Sequence, residues 1–209
     1  MSGLMIEPET DVVTVDGHRV AAPHAHRYLM LNKPLGVIAT ARDEASRTTV
    51  LDVVGEEGLA GHRLFPVGRL DADSTGLLIL SDDGDLSFRL THPRYKVTKE
   101  YLVTVGGIPT AKDLEQLRAG VRLDDGITAP AEVEAMAAEG NRAVLRLTIR
   151  EGRHRQVRRM LQAVGHKTVA LRRTSFGPLR LGRLKVGGWR VLSAGEVEAL
   201  RRATGLSTK

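Results

Sequence analysis

The 209-residue chain contains no cysteine. That excludes disulfides, thiolate zinc sites and thiol nucleophiles, and it suits a reducing cytoplasm. Long apolar runs are also missing: the longest are short pieces such as LLIL (77–80), far below a membrane span. The N-terminus MSGLMIEPETD lacks the basic–apolar–small order of a secretory signal. Aromatic residues are scarce, at 3%. What remains is ordinary for a globular chain, 42% hydrophobic and 27% charged, and long enough to bury a real core. The expectation is a soluble cytoplasmic protein, with nothing that calls for an obligate dimer and hence a monomer.

The net charge of +6 is unevenly spread. From Arg142 to Arg190 there are 14 Lys or Arg and one acid, Glu151, or +13 over 49 residues. The other 160 residues carry 17 bases and 24 acids, or −7. One dense, Arg-rich block on an otherwise acidic chain points to a polyanion, since the planar guanidinium suits phosphate and stacks on bases. A solvated Arg-rich surface would spread its charge more evenly.

Strand and helix patterns interleave along the chain. DVVTVDGHRV (11–20) alternates and turns at Asp16-Gly17, the pattern of a short hairpin. RYLMLNKPLGVIAT (27–40) reads as strand, Lys-Pro loop, strand, with a short helix over 48–54. LLIL is a buried strand, DLSFRLTH (85–92) a helix ended before Pro93, and KEYLVTV (99–105) a strand. TAKDLEQLRAG carries a helix with Thr110 as N-cap and Gly120 past its end. Residues 131–149 form a hairpin whose second arm puts Ala143, Leu145, Leu147 and Ile149 on one face. HRQVRRMLQAVG (154–165) is a helix, KTVALRRTSF and GWRVLS are strands, and Ser193 to Glu196 is a capping box for a last helix. Hairpins are frequent and regular βαβ spacing is absent, so the fold class is α+β: a mixed, largely antiparallel sheet with flanking helices.

One stretch, DADSTGLLILSD (71–82), nearly spells a calcium loop, with carboxylates at positions one and three and Gly76 at six. Its fifth position is Thr75, its twelfth the short Asp82, and GHRLFPVGRL before it cannot form an incoming helix, so the residues argue against calcium. No other His/Asp/Glu cluster has metal spacing, and no metal is expected. The alternative is a loop carboxylate, Asp71, delivered to a polyanion cleft two residues after Arg69. A bare acid there makes sense if it does covalent or base chemistry on a sugar or base. The plainer possibility is an Asx-turn or helix-cap role.

GRLDADSTGLLILSDDGDL (68–86) resembles the catalytic motif of the pseudouridine synthases, in the branch grouping the small-subunit enzyme RsuA with the large-subunit enzyme RluB. LNKPLGV (31–37) is similar to that branch's first motif, KEYLV (99–103) to its tyrosine motif and EGRHRQVRRML (151–161) to its third. THPRYKVTKEYLV and SFGPLRLGRLKVGGWRVL lean to the large-subunit side. The resemblance implies the pseudouridine synthase fold and isomerisation of a uridine in ribosomal RNA, with 23S expected, and no cofactor. It implies that Asp71 is the indispensable acid, that Arg158 is its ion-pair partner, and that Tyr101 is a catalytic residue that packs on the base and takes part in proton transfer. Arg69 would enter the RNA where the target uridine leaves its stack, and Val157 would line the uracil pocket. Lys33 is a further candidate RNA contact, against a solvated loop lysine. The same isomerisation on 16S rRNA, or a non-catalytic RNA-binding or ribosome-assembly factor, are the alternatives, the last having no use for Asp71.

The helix from 154 supports this independently. Val157, Met160, Leu161 and Val164 form an apolar stripe, with Arg155, Arg158 and Arg159 on other faces. Arg153, His154 and Arg155 crowd its N-terminal turn, where cations oppose the helix dipole, and a docked anion would reconcile the conflict. Arg153, Arg155 and Arg159 are therefore candidate RNA contacts. With few aromatics, RNA binding should be mainly ionic and salt-dependent. Most members of the branch carry an N-terminal S4 RNA-binding domain; here residues 1–26 are expected to be a remnant resembling its tail, and 27–205 the catalytic domain.

Overall fold

The computed structural model describes residues 14–16, 18–19, 25–43 and 45–206. Strands buried on both faces lie at its centre. Tyr28–Lys33 (β1) is buried at every position, and Thr75–Ser81 (β2) at every position after the first. Leu29, Leu31, Leu78 and Leu80 point into one core, and Met30, Leu77 and Ile79 into the other. That split is the two-residue period of a strand covered on both sides.

Five further strands complete the principal path: Lys99–Gly106 (β3), Glu132–Glu139 (β4), Arg142–Ile149 (β5), Thr168–Phe176 (β6) and Trp189–Val191 (β7). Their spatial order is β7-β1-β2-β6-β3-β5-β4, with Phe65–Pro66 pairing β2 and Leu179–Arg180 pairing β6. Every neighbouring pair is antiparallel except β2 and β6, which run parallel and share only two register pairs, Arg172 with Thr75 and Arg173 with Gly76. This short parallel seam joins the two halves of the sheet. The α+β class, with a largely antiparallel sheet, is what the sequence pattern led us to expect.

Helices Val50–Leu59 (α1), Gly84–Thr91 (α2), Ala111–Ala119 (α3), Gln156–Ala163 (α4) and Ala194–Ala203 (α5) flank the sheet. Thr49, Thr110 and Ser193 each cap their helix in a reciprocal box with the acid three residues on. Arg190 grips the Glu196 of the last box at 2.8 and 2.6 Å, and that pairing holds its carboxyl down at about 2. No helix among the described residues is long and apolar enough to cross a membrane.

Several local expectations shift. The second strand of 27–40 reduces to one bridge, Ile38 with Thr49, and α1 continues to Leu59 through a break at Gly55 (φ 65°). Helix α4 begins at Gln156 rather than His154, because Arg155 is left-handed (φ 48°) and ends the preceding turn. A hairpin pairing Arg122–Leu123 with Gly126–Ile127 was not anticipated. The N-terminal hairpin pairs Thr14–Val15 with His18–Arg19 about Asp16, and the rest of 11–20 lies outside the described residues.

Candidate active site

The loop carrying Asp71 is held from three sides. Gly36 N–H donates to the Ala72 carbonyl at 2.8 Å, and Ser74 N–H closes a turn onto the Asp71 carbonyl at 3.0 Å. From beneath, the Lys33 ammonium donates to the Ser74 carbonyl at 2.8 Å and the Pro34 carbonyl at 3.0 Å. Gly76, at φ 105°, passes so close to β6 that a Cβ there would lie 2.2 Å from the Arg173 carbonyl oxygen. A carboxylate on such a loop is pre-positioned instead of searching for its place.

Lys33 is therefore neither the RNA contact nor the solvated lysine weighed above. It is fully buried, and burial pulls it down to about 8, against the opposing pull of Asp71 and Asp73. Residues 33–34 approach the Ser74 turn so closely that the ammonium serves as an internal brace.

Asp71 and its near neighbour Asp73 have different surroundings. Among the described residues the Asp71 side chain, 31% exposed, has one ion-pair contact, Arg155 Nη1 at 3.5 Å. It makes no Asx turn. Asp73 takes the structural role: Arg155 binds both its oxygens at 3.2 and 3.0 Å, and Arg158 reaches it at 3.2 Å. These arginines, Arg155 foremost, hold the Asp73 carboxyl below the usual carboxylate range.

The ion-pair assignment is thereby corrected. Arg155, not Arg158, stands beside Asp71. Arg158 spends its Nη2 on the Asp73 carbonyl at 2.7 Å and Ser74 Oγ at 3.3 Å, one helical turn further on. The reason lies in the backbone: Arg155 precedes α4 in a left-handed conformation that a bulky residue adopts at a cost of about 1–2 kcal/mol. Strain of that kind is maintained where the surrounding contacts over-determine it, here three carboxylate contacts.

The crowd of cations before α4 is neutralised from within the protein. Arg159 binds both oxygens of Asp125 at 3.0 and 2.9 Å, and Arg153 reaches Asp125 at 3.3 Å and the Ile127 carbonyl at 2.7 Å. Asp125, in the unanticipated hairpin, is held at about 2, chiefly by Arg159. So Arg153 and Arg159 are tied to this hairpin, not free for RNA, and the anions that offset the helix end are Asp73 and Asp125. The Asp124-Asp125-Gly126 turn was readable in the sequence; its pairing across 34 residues with Arg159 was not.

Asp71 opens onto a cavity of about 220 Å³. Tyr101 on β3, Val157 on α4 and Arg69 line it together with Arg155. Tyr101 and Val157 are 7% and 4% exposed and form an apolar patch in a lining that is otherwise largely polar and charged. Arg69 is exposed and, among the described residues, has no hydrogen bond or ion pair. Two cations that the sequence reading passed over, Lys99 and Arg173, line the inner end. The calcium resemblance has no counterpart: Asp82 lies beyond the seven-residue β2, bound to His26, His62 and the Arg27 N–H. Among the described residues no group of three His, Asp or Glu is placed to hold a metal.

Comparison with known proteins places this geometry. Residues 27–163 match the family model described as RNA pseudouridylate synthase. An Aquifex aeolicus (strain VF5) protein named as an uncharacterized RNA pseudouridine synthase is 41% identical over 205 residues, covering 98% of this chain and 81% of its own. Ribosomal large subunit pseudouridine synthase B of Bacillus subtilis (strain 168) is 39% identical over 194 residues, covering 92% and 78%. A crystal structure titled pseudouridylate synthase superimposes with a TM-score of 0.76 at 34% identity, over 94% of this chain and 83% of that one.

Proposed function

The chain belongs to the RNA pseudouridylate synthase family and is an isomerase, and on that premise we propose that it converts a specific uridine of 23S ribosomal RNA to pseudouridine, with Asp71 as its essential carboxylate. The observation that carries this reading is the contrast between two carboxylates of one loop. Asp73 is saturated by arginines, while Asp71 is left with one long contact at a base-sized cavity that Tyr101 and Val157 help to line. The large-subunit assignment draws on the name of the Bacillus subtilis relative. In this reading residues 27–205 form the catalytic domain.

The target uridine must leave its stack to reach Asp71, and Arg69, exposed and unpaired, is placed to occupy the gap. The base enters between Tyr101 and Val157, which brings C1′ of the ribose to Asp71. The C1′–N1 bond breaks with its electron pair going to the base, and Asp71 answers the deficit at the sugar as nucleophile or base. The base turns, C5 bonds to C1′, the C5 proton leaves and N1 takes one up. Atoms and charge balance with no co-reactant. Arg155 orients Asp71, Arg158 holds the loop through Asp73 and Ser74, and Tyr101 packs on the ring.

The test is release of tritium from 23S transcript labelled at uridine C5, by the wild type and by Asp71→Asn. Release by the wild type alone is expected. Release by neither, with RNA binding intact, would leave a binder in place of an enzyme.

A further inference from the structure

The inner end of the cavity holds two cations for which the mechanism above has no use. Arg173 is 2% exposed and Lys99 8%. Arg173 Nε donates to the Leu77 carbonyl at 2.7 Å, yet its Nη2 is buried with no acceptor. Among the described residues the Lys99 ammonium has one long bond, to the Val97 carbonyl at 3.3 Å. Both cations sit on the Phe176 ring, at 4.9 and 5.3 Å from its centroid. The acid nearest in electrostatic terms, Glu151, is already engaged by Gln156, Arg153 and the Ala129 N–H.

The backbone brings this pair together by a specific irregularity. Arg173 stands opposite Tyr101 and Phe176 opposite Lys99, with a register shift between Arg173 and Ser175. In a regular strand, residues 173 and 176 would point to opposite faces. The bulge turns both onto the face of Lys99 and Tyr101, and bulges of this kind re-aim side chains beside active sites. Two like charges, buried side by side with a donor unused, are costly to fold. They are suited to receiving negative charge from a ligand in the same cavity.

We propose that Lys99 and Arg173 form the subsite for the carbonyl-bearing edge of the uracil and bear the negative charge that the base acquires when C1′–N1 breaks. The inference rests on the isomerase reading. Cleavage leaves the electron pair on the ring, spread over N1, O2 and O4. A guanidinium and an ammonium fixed at the inner end, opposite Asp71 at the mouth, meet those oxygens without reorganising. The anion persists until C5 attacks C1′, after which N1 is protonated and the pair returns to its unfilled state.

The test is single-turnover isomerisation by Lys99→Met, Arg173→Met and Arg173→Lys, with RNA affinity and Tm measured alongside. Transcripts carry either uridine or 5-fluorouridine. The fluorinated base departs more readily as an anion and, with fluorine in place of the C5 proton, stops at the C5–C1′ adduct. On it the rate read is that of adduct formation. Expected for each Met variant is a fall of about 10²–10³ in rate on uridine, with RNA Kd changed by no more than about two-fold. On 5-fluorouridine the deficit should shrink by about ten-fold, and Arg173→Lys should recover part of the rate. Lys99→Met, which removes a buried charge, should melt no lower than the wild type. An unchanged rate in Lys99→Met, or equal deficits on both bases, would overturn the subsite and reduce the pair to a packing role. If the wild type isomerises no uridine, the isomerase reading fails first and takes this proposal with it.

Discussion

Arg155 holds Asp73 by two hydrogen bonds, at 3.2 and 3.0 Å, and Asp71 by one looser contact at 3.5 Å. A single guanidinium thus links a carboxylate that secures the loop to one that faces the cavity. Replacing Arg155 by Ala should lower turnover by about a hundred-fold, a typical cost for losing one positioned charge partner. Asp73→Asn frees the same guanidinium for Asp71, and should cost far less than Asp71→Asn. Single-turnover rates of the three variants against wild type provide the check, and an Asp73→Asn as inactive as Asp71→Asn would reverse the roles.

Gly76→Ala should unfold the site outright. The new methyl would meet the Arg173 carbonyl oxygen at 2.2 Å, at φ 105° where a side chain is already strained. A loss of at least about 3 kcal/mol is expected from strain and clash together. A urea midpoint within error of the wild type would show that β2 and β6 can separate here without cost.

Arg69→Ala should leave the fold alone, with stability within about 0.5 kcal/mol, because the side chain is exposed and unpaired. Its effect belongs to the substrate: a lower rate on structured RNA, and a smaller deficit on a short transcript whose target uridine is already unstacked. Equal deficits on both substrates would remove Arg69 from the unstacking step.

Asp125→Asn should release Arg159 from its bidentate partner and loosen Arg153. Each guanidinium freed for phosphate steepens the fall of log K with log salt by about 0.7–0.9. The expected result is tighter RNA binding at low salt with a steeper slope, and an unchanged slope would mean that Arg159 stays on the protein.

Alkali should strengthen the fold while weakening catalysis. Burial brings Lys33 and Lys99 to about 8 from 10.5, so between these values the unfolded chain binds more protons than the native one. Stability therefore rises with pH through that window, and the full penalty of the buried charges is present below it. The urea midpoint should be higher near about pH 9 than near about pH 7.5, and the rise should be smaller in Lys99→Met. Turnover should fall over the same window as the subsite loses its charge. A wild-type rate flat to about pH 9.5 would separate Lys99 from the chemistry.

What could be read from the sequence was local. The alternation of β5 and the stripe of Val157, Met160, Leu161 and Val164 reflect the periods of their own elements, and they are buried as read except Val164, which is half-buried just past the end of α4. The N-cap at Thr110 and the capping box at Ser193 are local signals, and both formed, the first as a reciprocal box with Asp113. What could not be read depends on distant partners. Arg155 and Arg158 are 82 and 85 positions from Asp73, and their division of labour follows from one left-handed backbone residue with no glycine to announce it. Lys33 looked like a loop lysine because Pro34 follows it, yet it is among the largest fully buried side chains. Lys99 shares a strand face with Tyr101 and could have been noticed by alternation. Arg173 could not, since the bulge that re-aims it leaves no mark in the residue pattern.

The two-pair parallel seam between β2 and β6 also governs how the molecule folds. Leu77 and Arg173, bonded across it, are 96 positions apart, so the contact closes one of the longer loops of the chain for little ladder in return. The antiparallel ladders on either side are longer and can form before the chain entropy of that closure is met. The cavity, with Asp71 on one side of the seam and Tyr101, Val157 and Arg173 on the other, is then completed late in folding. Loss of activity in denaturant should accordingly precede loss of the bulk of the β signal.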